Sequence, residues 1–242
     1  MVINDAAIDE FQDVARVTGI KGIWRSTSAH SLNQKAAADM AAESVGKTAG
    51  ELNLVVAHLG GGISIGAHSH GKMIDTTNLM GDGPMSANRS GAMTIGDLCT
   101  WMLKKQMGPM DAMKKCLGNG TGLLDHLGTT DGREVERMIA DGNEYAKLIY
   151  DGMIYQIAQS IARMAAAMKG QVDYIVMTGG LSNSTYIQAA VKDYCGWIAP
   201  ILIFAGEYEA EAMVNAAVKV LDGTEPLKTF DNIPVFNAKK FK

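Results

Sequence analysis

The residues best suited to chemistry lie between Val55 and Gly91. An apolar strand, Leu52 to Leu59, breaks into three consecutive glycines, Gly60, Gly61 and Gly62. Alternation resumes at Ile63, Ile65 and Ala67, turns at His70-Gly71 and continues as a second strand, Met73 to Thr76, before a polar loop that ends at Arg89. A strand that opens into glycines at a hairpin presents unblocked backbone N–H groups, and such concave nests bind phosphate oxygens. Arg89, in a Gly- and Ser-rich loop, can supply a fixed planar cation for the same anion. The pattern points to phosphate handling. Taken alone, Gly60 to Gly62 is equally compatible with a tight β-hairpin, and Arg89 with a surface arginine paired to Asp82. Ser64 faces the same hairpin, either as a donor to a phosphate oxygen or as a solvated hydroxyl. His58, at the strand end, reads on its own as a satisfied core histidine.

Helix and strand alternate around this segment, which argues for an α/β fold. The apolar spacing predicts a helix from Ile8 to Val17 that buries Phe11, Val14 and Ala15, and another from Ser31 to Val45 that stops at Gly46. Thr94 with Asp97 forms a capping-box variant opening a helix from Ile95 towards Met107. Short helices are expected at Pro109–Leu117 and Leu123–Leu127, separated by the glycine-rich GNGTG, then at Asp131–Ile139 and, longer, at Glu144–Met168. The closing pattern is strand Tyr174–Met177, helix Thr185–Tyr194, strand Pro200–Phe204 and helix Glu207–Leu221. Thr178-Gly179-Gly180-Leu181 lies between strand and helix, where backbone can approach a ligand closely and a helix N-terminus favours anions. Asp131, Arg133, Glu134 and Glu136 read as a solvated, mixed-charge helix face.

At 242 residues the chain is long enough for one or two domains with a substantial core. Its net charge of −4 gives no hint of a nucleic-acid partner or an anionic membrane surface. No apolar run approaches the length of a membrane span, and the acidic start MVINDAAIDE lacks the pattern of a signal peptide. Three widely spaced cysteines, Cys99, Cys116 and Cys195, have no metal-like partners and read as reduced thiols of a cytoplasmic chain. The sixteen methionines read as core filler.

HLGGGISIGA, IDTTN and GDGPMSANRSG together resemble the butyrate kinases, relatives of acetate kinase in the superfamily of sugar kinases, Hsp70 and actin. The resemblance continues through AHSLNQKA, LGTTDGREVE, YDGMIYQIA, VDYIVMTGGL and IAPILIFAGEYEAEA, in collinear order over roughly residues 2–222. It implies an RNase H-like nucleotide-binding domain at residues 51–222, preceded by a remnant of an acyl-substrate domain at 1–50 and followed by a tail at 223–242. It implies an ATP- and Mg²⁺-dependent transfer of the γ-phosphoryl group to a short-chain carboxylate. Arg89 and His30 would stabilise the group in flight. His58, Gly60, Gly61, Gly62, Ser64, Gly179, Gly180 and Leu181 would hold nucleotide, and Glu209 would help hold the metal, with Glu207 and Glu211 as alternatives in the same acidic turn. A homo-oligomer is expected on the same grounds.

Two departures accompany the resemblance. The family's early aspartate aligns with Asn4, which carries no charge, unless Asp5 takes its place. Family members also open with a further domain bearing another phosphate loop and an arginine for the carboxylate. The chain alone is therefore expected to be incomplete for catalysis, and the helices of residues 8–46 to seek a partner for their apolar faces. The alternative is a non-catalytic nucleotide-binding fragment or one half of a split kinase.

Overall fold

The computed structural model describes residues 8–79, 81–223 and 236–237. Asn4 and Asp5 lie outside them, as does most of the tail after Asp222. Five strands form one sheet in the order β3-β2-β1-β4-β5, with β1 Asn53–Leu59, β2 Ile63–Ser69, β3 Lys72–Thr76, β4 Tyr174–Gly179 and β5 Ile201–Ala205. β1, β2 and β3 are an antiparallel meander, while β4 and β5 run parallel to β1. The β2–β3 turn places His70 and Gly71 at φ 48° and 79°, the doubly positive geometry that matches strand twist.

The period of two along β1 decides what lies on each face. Val55, Ala57 and Leu59 join Ile63, Ile65 and Ala67 of β2 in the main core, under α6 (Glu144–Ala167). There they meet Tyr150, Met153, Ile154, Ile157, Ile161 and Met164, all fully buried. Leu54 and Val56 point the other way, onto α1 (Ser31–Ser44). That helix presents Ala37, Ala38, Ala41 and Ala42, small enough for its backbone to lie close to the sheet. α1 was expected to pack elsewhere; it covers this sheet because its alanine face fits Leu54, Val56 and Val176.

Six further helices complete the described fold: α2 Ile95–Lys104, α3 Pro109–Leu117, α4 Leu123–Leu127, α5 Gly132–Ala140, α7 Thr185–Cys195 and α8 Glu209–Leu221. Thr94 hydrogen-bonds the Asp97 carboxylate rather than the α2 backbone.

The helix expected from Ile8 to Val17 does not form. Only a 3₁₀ turn, Asp13–Arg16, is present, followed by a bridge between Val17 and Trp24. Side chains outcompete helical propensity here. Arg16 is buried and grips Asp9 at 2.6 and 2.8 Å, and Arg25 Nη1 donates to the Ala15 carbonyl at 2.6 Å. Phe11 is buried as expected, but Val14 is 74% exposed. Near the other end of the chain Phe236 stacks edge-on against Trp24 (5.1 Å) with the Arg16 guanidinium 4.8 Å from its ring.

No described helix is long and apolar enough to cross a membrane. The three cysteines are free, with Cys99 exposed and Cys195 buried.

Candidate functional site

β1, β4 and β5 all end at the same side of the sheet, and the segments after them converge there. Gly60 and Gly61 follow β1, Gly180 and Leu181 follow β4, and Glu207 follows β5; all five line one cleft of about 660 Å³. A crevice outside the carboxyl ends of parallel strands is where α/β sheets bind ligands. Ser184, Thr185 and the 130–136 segment form its far wall.

At the near end, Arg89 is brought to the glycine run. Ser86 Oγ donates to the Gly61 carbonyl (2.8 Å) and accepts from the Arg89 N–H (3.2 Å), tying the two loops together. The GNGTG stretch supports them from behind. Leu123 N–H donates to the Ser86 carbonyl (3.1 Å), and Gly122, at φ +71°, passes so close that a Cβ would stand 2.0 Å from that oxygen. A Cβ on Gly62 would stand 2.5 Å from Arg89 Nη1 and 3.5 Å from His30 Cε1, so only glycine leaves this space open.

Arg89 is not paired with Asp82, which instead bridges Arg25 and Arg163 at 3.1 Å each. Its Nε and Nη1 are buried and make no hydrogen bond among the described residues. An unpartnered buried guanidinium is costly unless an anion satisfies it. The adjoining groups do not compete for such an anion. His30 and His58 stack with ring centroids 4.0 Å apart, and both stay neutral. Burial first, then the Arg89 charge, pushes the His30 pKa down to about 4, and burial first, then His30, pushes His58 to about 3. His58 Nδ1 is likewise buried without a partner. The alternation that sends Leu59 to the α6 core sends His58 to the α1 face, where it meets His30 at the N-cap of α1.

Ser64 does not open onto this space. Its buried hydroxyl lies 2.8 Å from both His30 Nδ1 and Gln34 Nε2, a place behind His30 rather than beside a ligand. Gly179 shapes the backbone instead of lining the cleft: at φ +88°, a Cβ would stand 2.5 Å from the Leu59 carbonyl oxygen. Glu209 sits exposed in the first turn of α8, and of this acidic turn it is Glu207 that reaches the cleft. Among the described residues no cluster of three His, Cys, Asp or Glu side chains could hold a metal by itself.

Asp131, Arg133 and Glu136, read from sequence as a solvated face, also line the cleft, with the Arg133 side chain 88% exposed and Glu136 half-buried. Side-chain and backbone hydrogen bonds from Arg133 hold the Asp131 carboxyl down to about 2. Glu136 Oε1 accepts from Tyr150 Oη (3.0 Å) and Ser184 Oγ (2.5 Å), and burial, then Glu136, keeps the Tyr150 phenol protonated well above its ordinary range. The TTDG sequence before α5 was the available signal, since Asp131 caps that helix by accepting from the Arg133 N–H at 2.9 Å.

This two-faced sheet with its cleft at the strand ends is the RNase H-like fold shared by sugar kinases, Hsp70 and actin. Acetate kinase of Porphyromonas gingivalis superposes with a TM-score of 0.76 at 22% identity, over 86% of this chain and 60% of that one. A propionate kinase of Francisella tularensis gives 0.74 at 23% identity, over 84% and 59%. The chain belongs to the acetokinase family, whose profile matches residues 15–197. It is 40% identical over 225 residues to a probable butyrate kinase of Enterococcus faecalis, and 38% identical over 230 residues to one of Clostridium botulinum. Those alignments cover 93% and 95% of this chain but only 62% and 64% of the relatives' length.

Proposed function

We propose that this chain forms the nucleotide- and phosphoryl-binding side of a carboxylate kinase acting on short-chain fatty acids. The observation that supports it most is Arg89, a half-buried cation whose buried Nε and Nη1 lack partners beside an open glycine run. In the reaction, a carboxylate oxygen attacks the γ-phosphorus of ATP and the bond to the bridging oxygen breaks, giving acyl phosphate and ADP. Catalysis of such a transfer rests on positioning and charge stabilisation. Arg89 would meet the charge on the transferring group and His30 would donate to it. Gly60, Gly61 and Gly62 would offer backbone to the phosphates with His58 beside them, while Gly180, Leu181 and the Asp131–Glu136 wall would face the nucleoside. Residues 51–222 with α1 would act as the nucleotide-binding unit.

Mg²⁺ takes one or two carboxylates together with waters and phosphate oxygens, and neutralises phosphate charge. Glu207 at the cleft fits that requirement without a dedicated cage, with Glu209 next along the acidic turn. The short-chain carboxylate and the assembly into homo-oligomers belong to the same proposal.

Calorimetric titration of the chain with ADP and Mg²⁺ tests the nucleotide half, with Gly180→Asp as control. Acyl phosphate formed by the chain alone from ATP and butyrate, trapped as the hydroxamate and exceeding that of Arg89→Ala, would overturn the expectation that this chain is incomplete for catalysis. Nucleotide binding lost in Gly180→Asp is the expected result. A folded chain that binds no nucleotide overturns the proposal.

A further inference from the structure

Behind His30 runs a chain of buried polar groups that phosphate contact does not explain. It is built by two periodicities. His30, the N-cap of α1, and Gln34 are four apart, with the Gln34 N–H donating to the His30 carbonyl at 2.8 Å, so they lie on one side of that helix. Ser64, Gly66 and His68 alternate along β2 and share the sheet face beneath it. Gln34 lies across Gly66: a Cβ there would stand 2.3 Å from Gln34 Oε1, so the strand has glycine where the amide rests.

The donors and acceptors in this chain admit one arrangement. Gln34 Nε2 is 2.8 Å from Ser64 Oγ and 3.3 Å from the Ser64 carbonyl oxygen, which can only accept, so this end of the amide is the NH₂. Its Oε1 then accepts from His68 Nε2 at 3.0 Å. Ser64 Oγ receives the Gln34 amide and also the His30 backbone N–H at 3.2 Å, which occupies both of its lone pairs. Its one proton is left for His30 Nδ1, 2.8 Å away. Gln34 and Ser64 are fully buried and His68 nearly so.

We infer that His68, Gln34 and Ser64 are positioning residues that fix His30 as the Nε2–H tautomer, with its proton directed away from Ser64. Resting on the proposed function, this supplies what that reading needs of His30, a neutral ring that donates one hydrogen bond to a phosphoryl oxygen. The groups facing the His30 ring are His58, stacked on it, and Arg89, and neither carries the negative charge that would draw a proton onto Nδ1. An unconstrained imidazole would divide between tautomers, and the Nδ1–H form would offer the site a lone pair instead of a donor.

The test is ¹⁵N NMR of the full chain labelled at histidine, with the His30 signals assigned by their loss in His30→Gln. The wild type is expected to show Nδ1 unprotonated and Nε2 protonated. Ser64→Ala and the volume-conserving Gln34→Met should each raise the Nδ1–H fraction by about fivefold or more, the equivalent of one ordinary hydrogen bond. The dissociation constant for ADP should stay unchanged in both, because His30 addresses the transferred group, while affinity for ADP with aluminium fluoride should fall. Wild-type His30 in the Nδ1–H form, or a tautomer ratio unmoved in both variants, overturns the inference even where ADP binds. Absent ADP binding together with the expected tautomers overturns the proposed function and leaves the relay standing.

Discussion

Arg89 Nη1 occupies the space that a side chain at residue 62 would need, for a Cβ on Gly62 would stand 2.5 Å from it. The glycine run and the cation therefore share one space, and a change at either is felt at the other.

Replacement of Arg89 by alanine should separate stability from phosphoryl-group binding. The guanidinium has two buried nitrogens without partners, so its removal takes away a desolvation cost, and the melting temperature should hold or rise. Loss of the cation should weaken binding of ADP with aluminium fluoride, a mimic of the group in flight, by about 100- to 1000-fold. Thermal melts beside calorimetric titration check both, and a variant that melts earlier with full affinity contradicts the reading.

Two glycine substitutions should fail in opposite ways. Gly62→Ala meets the tip of a flexible arginine, so the fold should survive while nucleotide phosphate affinity drops. Gly179→Ala meets the Leu59 backbone from a positive φ and should cost about 3 kcal/mol of stability. Urea unfolding of the pair, with ADP titration of whatever folds, distinguishes them.

Acid should destabilise the chain early. Burial, then Lys35, holds His68 near 3, as burial and neighbouring charge hold His30 near 4 and His58 near 3, against an ordinary 6.5. Between the folded and unfolded values only the unfolded chain binds these protons. Stability should therefore be complete above pH 6.5 and fall on acidification, by up to about 1.4 kcal/mol per pH unit for each histidine. Urea midpoints should drop between neutral pH and about pH 5, less steeply in His68→Gln. Midpoints that rise on acidification refute it.

Thiol labelling should follow burial. Burial pushes the Cys195 thiol up to about 11, and its Sγ points at the Ala158 carbonyl, 3.7 Å away. A maleimide should modify exposed Cys99 first and Cys195 only on unfolding, as peptide mass spectrometry would show. Early labelling of Cys195 would contradict the packing of α7 on α6.

Much of the fold was legible in the sequence. The period of two in β1 and β2, and the long apolar stripe of α6, each appear where residue spacing puts them. Pro109 and Gly46 mark element ends because their backbone preferences act locally. The segment from Ile8 to Val17 was not legible. Its conformation is set by Arg16 reaching back to Asp9 and by Arg25 joining the Ala15 carbonyl to Asp75, fifty residues on, and helical spacing carries no record of such bonds. The site divides in the same way. Glycines before a polar loop announced the phosphate end, whereas Asp131, Arg133 and Glu136 looked like a wet helix face. A charged row has the same spacing whether it faces bulk water or a cleft. Gln34 went unnoticed for a related reason: its meaning depends on Ser64 and His68, thirty and thirty-four residues away.

The contact of Phe236 with Trp24 gives the molecule a built-in optical gauge. Trp24 is 39% exposed and meets the ring of Phe236, which in turn lies under the Arg16 guanidinium, while Trp197 is 78% exposed to water. With Trp101 and Trp197 changed to phenylalanine, the remaining indole would emit according to whether Phe236 is in place. Docking of Phe236 could then be timed by light alone, in a stopped-flow cell, with no label added.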